Sequence, residues 1–226
     1  MATYEDLTPY EYLTPDEGTG RLVNVGWLGR GSRFGVGAPE PGLVEALLTL
    51  AAFRRAHVTR GHHLCELCER HPGQDALRVP FEPAEGGEVS LGNGEVHVPG
   101  PGGFVYAAPT LVAHYVDRHG YRPPADFSWN AIAAAKAHIS TWEKAKRTLP
   151  VGAAVHGEVV ERWTSGLVVS TRACPGAEGF VPAELYRPDG AAVAPKDFPR
   201  DGDPVEAVVT GHAERGRRIL LRVGPA

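Results

Sequence analysis

Three observations on the sequence predict an α+β protein built in parts. Apolar residues recur at helical spacing in several stretches up to Leu149 and alternate with period two from Val151 onward. In that second stretch Gly and Pro cut the chain into short apolar runs, the pattern of a small closed β-barrel. Between the first helical segments lies a Cys-x-x-Cys run, Cys65-Glu66-Leu67-Cys68, with His114 and His119 further along.

The elements follow in order. Residues 1–20, rich in Thr, Pro, Tyr and Asp, read as an extended arm. Arg21 to Leu28 is β-prone, and Gly29-Arg30-Gly31-Ser32 is a loop that lacks the Gly-Lys-Ser/Thr ending of a phosphate cradle. Pro41 is placed to open a helix carrying Leu43, Val44, Leu47, Leu48, Ala51 and Ala52 to about His57. After the cysteines, Gly92-Asn93-Gly94 between Val89 and Val96 predicts a β-hairpin, and Phe104 to Ala107 a further strand. Pro109 begins a second helix through Leu111, Val112, Tyr115 and Val116, with Gly120 to end it. From Pro123-Pro124 a long amphipathic helix runs to about Thr148 on Phe127, Ala131, Ala135, Ile139 and Trp142. Five short strands follow, around Val155–Glu161, Gly166–Val169, Gly179–Val181, Val205–Val209 and Ile219–Val223. The predicted divisions are 1–122, a connector at 123–150, and 151–226.

Composition narrows the function classes. The 226 residues are 42% apolar and 22% charged with a net charge of -4, so bulk charge does not drive tight non-specific binding to nucleic acid. Three cysteines, only two of them close together, fit a reducing compartment better than a disulfide framework. The start Met1-Ala2-Thr3-Tyr4-Glu5-Asp6 has neither the basic nor the apolar region of a secretory leader. The longest apolar stretch, Leu43 to Phe53, carries Glu45 and is too short to span a bilayer. A soluble cytoplasmic protein without a membrane partner is expected.

A Cys-x-x-Cys turn aims two sulfurs at one point about 2.3 Å from each, as a tetrahedral zinc ion requires. His114 and His119 are the first choice for the other two ligands. Five residues apart, they stand about 140° apart on an ideal helix, so the last turn has to loosen. His63, and after it His62, is the alternative to His119. Buried thiols and a redox pair are the competing readings, the latter disfavoured because no strand-then-helix thioredoxin pattern surrounds the cysteines. Four protein ligands would make the zinc structural, with no position left for substrate water. His57, His71, His97, His138, His156 and His212 read as isolated polar positions, and Cys174 as an unpaired thiol. No Gly-x-Ser-x-Gly, His-Glu-x-x-His or Walker pattern occurs, and no small-molecule substrate is evident.

Two stretches bear family resemblances. Val151-Gly152, Gly157-Glu158-Val159-Val160, Gly166-Leu167-Val168-Val169, Gly179-Phe180-Val181, Phe198-Pro199, Gly202-Asp203-Pro204-Val205 and Arg218-Ile219-Leu220-Leu221 resemble the S-one type of RNA-binding domain. That resemblance implies a five-stranded OB-fold barrel. The family stacks bases on aromatics flanking the second-strand glycine and reads them with a His after the third-strand glycine. Here those places hold Ser165, Val168 and Pro182, which leaves Trp163 and Phe180 as platforms. The earlier half, over about residues 4–130, is similar to an uncharacterised bacterial family. The shared residues are Asn24-Val25-Gly26-Trp27-Leu28, the Gly-x-His-x-Cys-Glu-x-Cys run, Gly92-Asn93-Gly94-Glu95-Val96, Tyr106-Ala107-Ala108-Pro109, His114-Tyr115 and His119-Gly120-Tyr121-Arg122-Pro123-Pro124 with Phe127. The likeness implies a shared zinc fold and no activity.

The expected protein is therefore non-enzymatic: a zinc-stabilised α+β domain, a connector helix and an OB-fold barrel that binds RNA or a ribonucleoprotein. Trp163, Phe180, Arg215, Arg217 and Arg218 are the expected contacts, with Lys144, Lys146 and Arg147 adding charge if they converge on them. The barrel stretch holds nine basic and ten acidic residues, so its binding would depend on where the arginines lie, not on bulk charge. The alternative is a protein-interaction adaptor or inhibitor, using the barrel and the tyrosines of the arm (Tyr4, Tyr10, Tyr12).

Overall fold

The computed structural model describes residues 2–13, 20–69, 75–187, 193 and 195–224. Arm residues 14–19 and His71 lie outside that set. The chain divides into two compact units, Met1–Lys136 and Ala137–Ala226.

The first unit is a mixed sheet covered by two helices. Its strands are β1 (Arg21–Asn24), β2 (Arg55–Ala56), β3 (Leu77–Pro80), β4 (Glu88–Leu91), β5 (Glu95–Pro99) and β6 (Phe104–Pro109). Four of them form a sheet in the order β1-β6-β5-β2, with β1 parallel to β6 and the other pairs antiparallel. Helix α1 (Leu43–Phe53) packs on α2 (Val112–His119) and on β4 and β5. Leu43, Leu47, Leu50, Val96, Val98, Leu111, Val112 and Tyr115 form the core between them, nearly all fully buried.

Three local expectations change. Helix α1 starts two residues after Pro41, because Gly42 takes a left-handed conformation at its N-cap, and it stops at Phe53 ahead of β2. Pro109 ends β6 opposite Glu95 instead of opening α2. The Gly92-Asn93-Gly94 turn joins two strands that do not pair with each other: β4 pairs with β3, and β5 with β6 and β2.

Competing partners explain the lost hairpin. His63 N–H donates to Gly92 O (2.7 Å), Thr59 N–H to Asn93 O (2.8 Å) and Thr110 N–H to Gly94 O (2.9 Å). Arg55 donates to Asn93 Oδ1 at 2.5 Å. Gly92 is required here: at φ 93°, an added Cβ would lie 2.0 Å from the His63 carbonyl oxygen. Gly92→Ala should therefore destabilise the protein by about 2 kcal/mol, read as a lower urea midpoint at unchanged slope.

The arm is bound to its own domain. Leu7 N–H donates to Asn24 O, Asn24 N–H to Thr8 O and Tyr10 N–H to Leu22 O, which lays the arm along the free edge of β1. Tyr4, Tyr10 and Tyr12 all pack on the buried Trp27, with ring centroids 5.8, 6.2 and 4.8 Å away. These tyrosines therefore cover a core, Tyr10 buried in it and Tyr4 and Tyr12 half-buried over it. Asp6 fastens the arm by accepting from Tyr121 Oη and from Gly26 N–H, each at 2.8 Å. Burial, and after it the Asp6 carboxylate, push the Tyr121 hydroxyl far above its ordinary pKa, so it remains a donor. Asp6→Ala should cost about 1–3 kcal/mol by leaving that buried hydroxyl unsatisfied, and should speed proteolysis of the arm.

The long helix α3 (Ala125–Thr148) spans the unit boundary. Phe127, Ala131 and Ala135 are buried in the first core, and Trp142, Ala145 and then Leu149 in the second. Ile139, at the changeover, is exposed.

The second unit is a closed five-stranded barrel of β7 (Ala154–Trp163), β8 (Gly166–Thr171), β9 (Glu178–Pro182), β10 (Pro204–Ala213) and β11 (Arg218–Val223). Its circular order is β10-β11-β9-β8-β7, closed by β10 against β7, with β9 and β11 parallel. That is the OB-fold: a three-stranded meander, then two strands that close the circle with one parallel pairing. Alternate residues Val155 and Val159, Val205, Ala207 and Val209, and Ile219 and Leu221 fill the interior.

Candidate metal centre and nucleic-acid interface

The loop after β2 carries Cys65 and Cys68, and α2 carries His114 and His119. Cys65 is 6% exposed and His114 7%, while Cys68 and His119 are half-buried. Their donor atoms converge. Cys68 Sγ lies 3.2 Å from His114 Nε2 and 3.3 Å from His119 Nε2, Cys65 Sγ lies 3.3 Å from His119 Nε2, and the two Nε2 atoms are 3.3 Å apart. His119 closes α2, where Gly120 turns left-handed (φ 62°) and Tyr121 N–H bonds back to Tyr115 O at 3.0 Å. The two imidazoles meet although both residues lie within the helix.

These separations fit a tetrahedral ion. Ligand distances of about 2.3 Å for sulfur and about 2.0 Å for nitrogen imply N–N and S–N edges of roughly 3.3 and 3.5 Å. Burial, and secondarily the neighbouring His119, hold His114 down to about 4; burial and then Arg118 lower His119. Both rings are thus neutral at pH 7, the form that ligates a metal. Burial pushes the Cys65 thiol up to about 11, so a cation must displace its proton to bind. The group could hold a metal ion. His62 Nε2 instead lies 3.0 Å from Ser90 Oγ, and His63 Nε2 lies 3.4 Å from Tyr12 Oη, so neither joins the four. Glu66, inside the Cys-x-x-Cys turn, accepts the Arg30 backbone N–H at 3.2 Å.

His57 and His97 are not isolated. Both contact the buried Glu95, in a group that sequence reading missed. The available signal was Glu95-Val96-His97 on a strand, where alternate residues share a face.

On the barrel, Trp163 ends β7, Phe180 lies on β9 and Arg218 begins β11. The Trp163 and Phe180 rings are 5.9 Å apart, and the Arg218 guanidinium sits 4.5 Å above Trp163 and 5.7 Å from Phe180. All three side chains are half-buried on the outer surface. Val168, paired with Phe180 and so on the same face, is buried there, while Leu167 and Val169 on either side of it fill the interior. Arg215 is exposed in the β10–β11 turn. Burial lowers the pKa of the half-buried Arg217 guanidinium, against the pull of Glu143 and Glu214. Lys146 is bound by Glu143 (3.0 Å) and Glu214 (2.9 Å), so the helix end adds less free positive charge than its lysines suggest.

Residues 2–132, more than half of the chain, match the family described as Domain of unknown function (DUF7919). The chain belongs to this family. The DUF7919 domain thus contains the whole Cys/His group, the arm and the mixed sheet. No curated protein matches the sequence. Among solved structures, the chain is similar to the a/eIF2alpha-aDim2p-rRNA complex from Pyrococcus horikoshii OT3 (22% identity, 32% of this chain and 43% of that one, TM-score 0.30). It is also similar to apo RNase R from Mycoplasma genitalium (11%, 44% and 17%, TM-score 0.34). A third is a multidomain protein with nucleic acid binding domains from Streptococcus pneumoniae (13%, 76% and 49%, TM-score 0.26). The chain spans less than two thirds of each of these three, and overlaps this weak say nothing about its chemistry.

Proposed function

We propose that the protein is a non-enzymatic nucleic-acid-binding protein, with single-stranded RNA its first ligand, whose DUF7919 domain is held by one structural zinc ion. The RNA reading rests on a single observation: Trp163, Phe180 and Arg218 cluster on one surface, the guanidinium over the aromatic rings. OB-folds take oligonucleotides on their second and third strands and on the loops joining strands one to two and four to five. In this barrel those places are β8, β9, the β7–β8 turn beside Trp163 and the β10–β11 turn carrying Arg215 and Arg217. A base sliding onto Trp163 or Phe180 would find an aromatic face with a guanidinium beside it, and the arginines would meet the phosphates. Residues 151–226 are the binding module in this reading.

The zinc reading draws on the closeness of two sulfur and two imidazole donors at tetrahedral spacing. Four such donors close the coordination sphere, which favours a structural ion over a catalytic one.

Fluorescence anisotropy against a mixed-sequence single-stranded RNA, at low and at physiological salt, tests the function. Micromolar or tighter binding that weakens steeply with salt is the expected result. Absence of binding at low salt would refute the RNA reading and turn the search to protein partners.

A further inference from the structure

We propose that the DUF7919 domain carries a second metal site, formed by His57, Glu95 and His97, for a divalent transition metal held by two imidazoles and one carboxylate. It is independent of the RNA-binding reading and uses no residue of the Cys/His group.

Three elements build the site. Glu95 and His97 are alternate residues of β5 and share one face, opposite the face through which Val96 and Val98 join the helical core. Ala56 of β2 pairs with Glu95, so the next residue, His57, arrives beside the carboxylate. His57 adopts φ 48°, a left-handed conformation uncommon outside glycine, of the kind that collects at binding sites. The arm supplies Tyr10, whose hydroxyl donates to Glu95 Oε1 at 2.7 Å.

The other carboxylate oxygen, Oε2, faces both imidazoles, 2.9 Å from His97 Nε2 and 3.3 Å from His57 Nδ1. All three donor atoms lie within 4.8 Å of one another. For ligand distances of about 2.0–2.2 Å, adjacent donors stand roughly 3 Å apart, so these spacings suit one shared ion. Glu95 is 1% exposed, and among the described residues the side chains that meet its carboxylate are these two imidazoles and the Tyr10 hydroxyl, with no lysine or arginine. A buried carboxylate without a guanidinium or ammonium needs another source of positive charge, which a divalent cation supplies. Tyr10 then acts as the outer group that orients the ligating carboxylate. Two imidazoles and one carboxylate suit zinc or iron(II) and leave coordination positions for water or a further ligand.

Zinc(II) and cobalt(II) are the probes, added to the metal-free 226-residue chain and followed by metal analysis and absorption. Wild type should take up about two ions per chain, since both groups supply deprotonatable ligands. His97→Ala and Glu95→Gln should take up about one fewer. Cys65→Ser should keep a cobalt ion lacking the thiolate-to-metal band. Tyr10→Phe should weaken the second ion about tenfold or more. His97 is half-buried, so its variant is the one to rely on if Glu95→Gln fails to fold. A wild type that binds one ion, lost in Cys65→Ser, would overturn the proposal and leave the zinc reading standing. A second ion whose affinity is unchanged in His97→Ala would overturn it as well.

Discussion

Cys65→Ser is expected to strip the zinc from the DUF7919 domain and to lower its melting temperature by about 10 °C or more. An ion bound a thousandfold more tightly than its free concentration adds about 4 kcal/mol. For a unit of this size, each kcal/mol moves the transition by roughly 3 °C. The same loss should appear when a chelator removes the ion from wild type, and zinc should restore it. Because the Cys65 thiol is pushed up to about 11 before metal arrives, loading must release protons. In weakly buffered solution at pH 7 the pH should therefore fall as the ion displaces the Cys65 proton. A metal-free wild type with an unchanged melting curve would end the structural-zinc reading.

The second large effect is on binding. The double variant Trp163→Ala, Phe180→Ala removes both stacking faces and should cost about 2–6 kcal/mol, enough to take micromolar binding out of reach. Neither ring contributes to the barrel interior, so the melting temperature should barely change. Arg218→Ala should reduce the salt slope by about one and weaken binding to all sequences alike. Arg217→Ala should do less, because this guanidinium is partly buried near Glu143 and Glu214. If the double variant binds RNA as wild type does, the ligand surface lies elsewhere.

Much of this architecture was legible because it is local. The period-two runs after Val151 became β7 to β11, and Pro123-Pro124 marked the start of α3 to within a residue or two. The donors Cys65, Cys68, His114 and His119 could be named because a Cys-x-x-Cys turn and a helical His pair are short-range patterns. What the sequence hid depends on distant pairing. The Asn-Gly turn carries a hairpin signal, but backbone groups of His63, Thr59 and Thr110, all remote in sequence, bind it instead. The tyrosines of the arm show no sequence sign that Trp27 lies beneath them. His57 looks isolated along the chain, and only the pairing of β2 with β5 brings it to Glu95, which His97 meets on its own strand.

The parallel pairing of β1 with β6 also sets an order in time. Asn24 emerges from the ribosome roughly 80 residues before Phe104, a wait of about 4–16 s at ordinary rates of synthesis. Until then β1 and the arm lying along it have no sheet to join, and His114 and His119 do not yet exist. Within its own unit the first strand to be made is among the last to find its place, so a chaperone that shields a nascent edge of that unit would act longest on residues 21–24.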